Sequence, residues 1–203
     1  MSIDDKRKDA QQLSGMILNT ARSLFEEHGV EAVSMHQVAK SAGIGQGTLY
    51  RRYANKGDLC LDLMKDRFRY LSEEWTSYLE RHKDVPVAEQ LRAIMSMLIR
   101  FVEKDADWIA TIQSSSSCSS DRLNFFESPP YVYMFKTLCS LFDEAAESGE
   151  SSHVESPFVA HMFISCLSPV VHLHLRKVCG YTTEQIAEHF CTSFIDPLFK
   201  RTS

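Results

Sequence analysis

The chain has 203 residues, 44% of them hydrophobic and 24% charged, with eight glycines and six prolines. Such a composition excludes a collagen-like, mucin-like or wholly disordered polypeptide and allows one compact domain or two small helical ones. A net charge of −5 excludes a uniformly basic coat for nucleic acid, but not a local basic patch.

Taken in chain order, the elements read as helices. Residues 1–9 are polar and are expected to fray. Leu13, Ile17, Ala21, Leu24 and Phe25 then recur at helical spacing, and Gly29 is a natural stop. Ser34 and Gln37 form a capping-box pattern that opens a short helix with Val38, Ala39 and Ala42 inward. Gly43-Ile44-Gly45 breaks it, and a second short helix is expected from Gln46 to about Tyr53. One long amphipathic helix is expected from Gly57 to His82.

Pro86 suits the start of the next helix, which carries Leu91, Ile94, Met95, Leu98, Phe101 and Val102. A short helix from Asp107 to Gln113 and a Ser-rich loop over Ser114 to Ser120 are expected next. Ser128-Pro129-Pro130 starts a helix that Gly149 stops. Ser156, as N-cap before Pro157, starts another, with a kink expected at Pro169. Thr182 and Gln185 form a second capping box before a helix in which Ile186, Phe190, Phe194 and Leu198 repeat. The fold class is all-α, with about nine helices.

The segment Phe158 to Leu175 is apolar on nearly every face, yet it holds three histidines, two serines and Pro169, which makes it a poor membrane span. A helix apolar all round is buried all round. In a chain this small, one face meets the core and the other is expected to meet a second copy. Phe158, Met162, Cys166, Phe190 and Phe194 are the candidate dimer contacts.

Charge is unevenly spread. Residues 32–57 contain no acid at all, against Lys40, Arg51, Arg52 and Lys56. An acid-free basic window in an acidic chain is a footprint of phosphate binding. The same window holds two short helices joined by a glycine-bearing break, the helix-turn-helix plan, whose second helix enters the major groove by its N-terminus. Gln46 can pair with adenine, Gly47 admits close backbone approach, Thr48 and Tyr50 can reach phosphate, and Arg51 can contact phosphate or guanine.

Residues Ile17 to Leu63 resemble the N-terminal domain of the tetracycline-repressor (TetR) family of bacterial regulators. The residues that carry the resemblance are Ala21-Arg22-Ser23-Leu24-Phe25, Gly29, Val38-Ala39-Lys40-Ser41-Ala42-Gly43-Ile44, Gly47-Thr48-Leu49-Tyr50, Tyr53, Asn55-Lys56 and Leu59. It implies a helix-turn-helix DNA-binding domain over 10–57 and a helical effector-binding and dimerisation bundle over 58–203. It implies phosphate contacts for Thr48 and Tyr50, a base contact for Gln46 and a backbone clamp for Lys56. Tyr53 stands where the family more often has Phe, which implies an added exposed hydroxyl. Gly57, Met35 and His36 also depart from the family pattern. The family plan makes the Gly57–His82 helix the transmission element between the two domains.

The expected function is therefore a dimeric transcriptional regulator, a repressor released from a palindromic operator by a small hydrophobic or aromatic ligand. Trp75, Tyr78, Phe101, Trp108, Tyr131 and Phe135 are candidates to line its pocket. The alternative is a helical small-molecule or protein-binding module with a non-functional helix-turn-helix. Hydrolase, nucleotide-loop and zinc-protease motifs are absent from the sequence, so no enzyme, cofactor or metal is expected. His172 and His174, two apart on a helix, point to different sides. The first dozen residues lack the apolar stretch of a secretory signal, and the six cysteines form no C-x-x-C pair. A cytoplasmic protein with reduced core thiols is the expectation.

Overall fold

The computed structural model describes residues 3–116, 125–151 and 154–199. Among them the fold is all-α, as expected, with ten α-helices and no strand, the nearest thing to a strand being an isolated bridge between Ser151 and Phe199. The helices are α1 (Ile3–His28), α2 (Met35–Ser41), α3 (Gln46–Arg52), α4 (Lys56–Leu63), α5 (Lys65–Arg81), α6 (Val87–Ser116), α7 (Pro129–Glu147), α8 (Ser156–Cys166), α9 (Pro169–Lys177) and α10 (Thr183–Phe190). The chain divides into two compact units, Met1–Lys65 with Asp107–Arg122, and Asp66–Ala106 with Leu123–Ser203.

In the first unit, α2 packs on α1 and α3, and α4 packs on α1. Ile17, Ala21 and Phe25 of α1, Val38 and Ala39 of α2, Leu49 of α3 and Leu59 of α4 are all buried. Helix α1 already begins at Ile3, so residues 3–9, expected to fray, are helical. Gly29, at φ +82°, ends it in a conformation that side chains resist. The Ser34 capping box forms: Ser34 Oγ accepts from the Gln37 amide at 3.2 Å, and Gln37 Oε1 accepts from the Ser34 amide at 2.7 Å.

The expected single helix from Gly57 to His82 is instead two. Met64, fully buried, caps α4 at φ −88° and ψ −4°, and α5 restarts at Lys65. Leu63-Met64-Lys65 holds no glycine or proline, so tertiary placement overrides local preference here. The two helices expected before and after Asp105 are both present along α6, separated at Asp105, whose φ of −123° and ψ of 21° are not helical. Ser114 to Ser116 extend α6; the rest of the expected Ser-rich loop, with Cys118, lies outside the described residues.

In the second unit, α7 packs against α8. Phe142 meets Phe163 edge-on at 5.2 Å, and Phe163 meets Phe190 likewise at 5.4 Å, tying α7, α8 and α10 together. Helix α8 is capped by the Glu155 carboxylate, which accepts from the Phe158 amide at 2.9 Å. Ser156, expected as the cap, instead donates its hydroxyl to Asp143. Pro169 opens α9 at 45° to α8, a full break rather than a kink. The Thr182 capping box forms as expected, but the last helix does not run regularly to Leu198: it passes into a π-helical turn over Cys191–Ile195 and then a 3₁₀ turn.

Among the described residues no single helix is long and apolar enough to cross a membrane; α8 and α9 reach such a composition only together, across their bend. Of the cysteines, Cys60 and Cys191 are core thiols, and burial pushes Cys60 up to about 12. Cys166 and Cys179 are exposed, contrary to the expectation of core thiols throughout.

Candidate nucleic-acid interface

Helix α3 is seven residues long and buries a single side chain, Leu49. That anchor turns the rest of the helix outward. Gln46, Gly47, Tyr50, Arg51 and Arg52 are exposed, and Thr48 is half-buried. A Cβ at Gly47 would meet nothing within 4 Å, so the backbone there is open to close approach. Tyr50 is 47% exposed and is no prop for the core. Arg51 Nη2 donates to Thr48 Oγ1 at 3.3 Å, which holds the guanidinium beside the hydroxyl on one face. Gln46 Nε2 is bonded to His36 Nδ1 of α2 at 2.5 Å.

Two expected contact residues are turned elsewhere. Tyr53 does not present the exposed hydroxyl: it is 5% exposed, and its hydroxyl donates to Asp62 Oδ2 of α4 at 2.5 Å. Burial and the Asp62 carboxylate push the Tyr53 phenol well above its ordinary range. Desolvation raises the Asp62 carboxyl, but donation from Lys65 and Tyr53 outweighs it and holds Asp62 below its usual value. Lys56 likewise does not reach outward. Its Nζ donates to three backbone carbonyls, Val30 at 2.7 Å, Val33 at 2.9 Å and Glu31 at 3.2 Å. An ammonium has three donors, and all three are used on the loop between α1 and α2.

The aromatic residues expected around a pocket fall into separate clusters. Trp108 lies in the first unit, edge-on to Phe25 at 5.5 Å. The other five lie in the second unit. Phe101 packs on Phe68, Tyr78 stacks on His82, and the fully buried Trp75 lies beside Tyr133. Tyr131 and Phe135 both stack on His161, and Tyr131 Oη is bonded to His161 Nδ1 at 2.6 Å. Elsewhere in the second unit, Glu103 of α6 binds two residues of α9: His172 Nε2, and Arg176 Nε at 3.0 and 3.1 Å to its two oxygens.

The candidate dimer residues divide too. Phe158 is 62% exposed, Met162 and Phe194 are also exposed, and so is Cys166. Val170 and Val171 of α9 extend that outer apolar set. Phe190 is 6% exposed and packs between Phe163 and Phe194, so it belongs to the chain's own core.

None of the contacts made by His36, Tyr53, Lys56 and Glu103 was legible beforehand. Each joins residues nine to seventy-three positions apart, and no periodicity pairs such positions.

Comparison with known proteins adds independent findings. Residues 17–63 match the family model described as bacterial regulatory proteins, tetR family. An HTH-type transcriptional regulator of Staphylococcus aureus (strain USA300) is 30% identical over 143 residues, covering 67% of this chain and 70% of the relative. The fold is similar to that of Thermus thermophilus FadR, a TetR-family transcriptional repressor solved in complex with lauroyl-CoA, with a TM-score of 0.71 at 17% identity over 94% of this chain and 97% of that one. It is also similar to the fatty acid degradation regulator FadR from Bacillus halodurans, with a TM-score of 0.65 at 21% identity over 93% and 97% of the two chains.

Proposed function

The chain belongs to the tetR family of bacterial transcriptional regulators, and on that premise we propose that it is a homodimeric repressor released from a palindromic operator by a small hydrophobic ligand. The observation that carries the DNA-reading half is the outward face of α3. Gln46, Gly47, Tyr50 and Arg51 stand exposed there, in a window without a single acid, while Leu49 alone fixes the helix to the core.

In this reading residues 10–57 form the DNA-binding domain. Gln46 reads a base edge, while Thr48, Tyr50 and Arg51 hold phosphate. Tyr53 and Lys56 support the surface from behind, by their bonds to Asp62 and to the loop after α1. Residues 58–203 form the effector and dimerisation domain. The exposed apolar set of Phe158, Met162, Val171 and Phe194 is what a second copy would cover. A symmetric dimer then reads half-sites about 34–36 Å apart or a multiple of that. A ligand that binds better to the wrong spacing weakens DNA binding, and DNA weakens ligand binding by the same factor.

The ligand class rests on the aromatic content of α5 to α7 and on the neighbours' ligands. Lauroyl-CoA is bound by the Thermus FadR, which makes long-chain acyl thioesters the first compounds to try. The test is selection from a random duplex pool, followed by titration of the selected duplex complex with lauroyl-CoA. A palindrome that is enriched, then released by the thioester, supports the whole reading. No enrichment at low salt, where phosphate contacts are strongest, contradicts it. Enrichment without release contradicts the acyl-thioester class alone.

A further inference from the structure

We infer that His36 is a specificity-determining residue that fixes which way the Gln46 side-chain amide faces the base it reads. The inference rests on the DNA-reading role proposed for α3.

The geometry is simple. His36 lies in the first turn of α2 and Gln46 is the first residue of α3, so the two helices of the helix-turn-helix are joined there by a side-chain bond outside the core. Both side chains are exposed. The atoms in contact are Gln46 Nε2 and His36 Nδ1. An amide nitrogen only donates, so Nδ1 is the acceptor of this bond. One of the two Gln46 amide hydrogens is thereby held by His36. The other hydrogen and Oε1 remain free, side by side.

That free pair is the complement of adenine in the major groove, where N6–H donates and N7 accepts. Guanine presents two acceptors, O6 and N7, at the same place. An amide held in this orientation sets its own oxygen against guanine O6, which is repulsive. An amide released from His36 has both hydrogens to give and can turn its whole NH2 group toward guanine, one hydrogen for each acceptor. His36 therefore acts by excluding guanine, and by immobilising a side chain before it meets DNA. Immobilising one such side chain is worth about two- to ten-fold in binding.

The test is selection of duplexes by wild type and by His36→Leu, His36→Asn, Gln46→Ala and the His36→Leu/Gln46→Ala double variant, each checked for helicity. Asn places its Oδ1 where Nδ1 stands and so keeps an acceptor. The expected result is a position in each half-site where wild type and His36→Asn prefer adenine over guanine. His36→Leu loses that preference by about two- to ten-fold at that position only. In the Gln46→Ala background, His36→Leu then changes nothing further there. A base profile for His36→Leu equal to wild type overturns the inference while leaving the DNA-reading role intact. A uniform loss across all positions overturns it too, because that is what a merely structural residue would give. A wild type that selects no sequence overturns both.

Discussion

The residues of the first unit that looked most alike in sequence do different work. Tyr50 and Tyr53 are three positions apart, yet one is 47% exposed and the other 5% exposed and bonded to Asp62. Arg51 and Lys56 are both cations of the acid-free window, yet Arg51 is exposed on α3 while Lys56 closes the loop after α1. Lys56→Met should therefore cost about 2 kcal/mol of stability, since charge-assisted hydrogen bonds are lost and three carbonyls lose their donor. A urea melt measures it. The same variant should leave the slope of log affinity against log salt nearly unchanged; a slope shallower by about 0.9 would make Lys56 a phosphate contact instead. Tyr53→Phe should cost about 1 kcal/mol in the same melt and leave DNA affinity as it was. The residue types and their spacing were readable in the sequence, and the α3 side chains named there are exposed or half-buried apart from Leu49. Their partners were not, because a side chain's choice between solvent and a carbonyl 26 positions away is made by the tertiary fold.

At the scale of elements, the capping boxes at Ser34 and Thr182 and the glycine stop at Gly29 were legible because each is a local device with a fixed spacing. The break at Met64 was not, because it carries no glycine or proline. The link from α6 to α9 was equally silent. Burial raises the Glu103 carboxyl, but donation from His172 and Arg176 outweighs it and holds the group below its usual range. The unfolded chain therefore binds more protons than the folded one as the pH approaches the ordinary glutamate value of about 4.3. The stability this contributes is complete above that value and is lost as pH falls through the depressed one. Urea midpoints between pH 7 and pH 3 should fall less steeply for Glu103→Gln than for wild type. Equal slopes would mean that the carboxylate is not held by α9.

At the scale of the molecule, the apolar stretch from Phe158 to Leu175 divides into a core face and an outer face. Phe163 and Ile164 are inside, while Phe158, Met162, Val170 and Val171 face out. From the sequence, one face is expected to meet the core and a second copy is expected to cover the other. If a second copy does, Phe158→Asp should shift the sedimenting species from dimer to monomer at micromolar concentration and leave the helical content intact. It should also weaken binding to a palindrome far more than to a single half-site. A Phe158→Asp protein that sediments as wild type does would remove α8 from the interface.

The central claim is that α3 reads base sequence. It is tested most directly by competition at low salt between the selected palindrome and a scrambled duplex of the same composition, for wild type, Gln46→Ala and Tyr50→Ala. The account predicts that wild type prefers the palindrome by roughly 10³-fold or more. It predicts that Gln46→Ala loses about ten-fold of that preference. Tyr50→Ala should weaken binding to both duplexes alike, as the loss of a phosphate contact does. A wild type that binds the two duplexes equally, or binds neither, would contradict it.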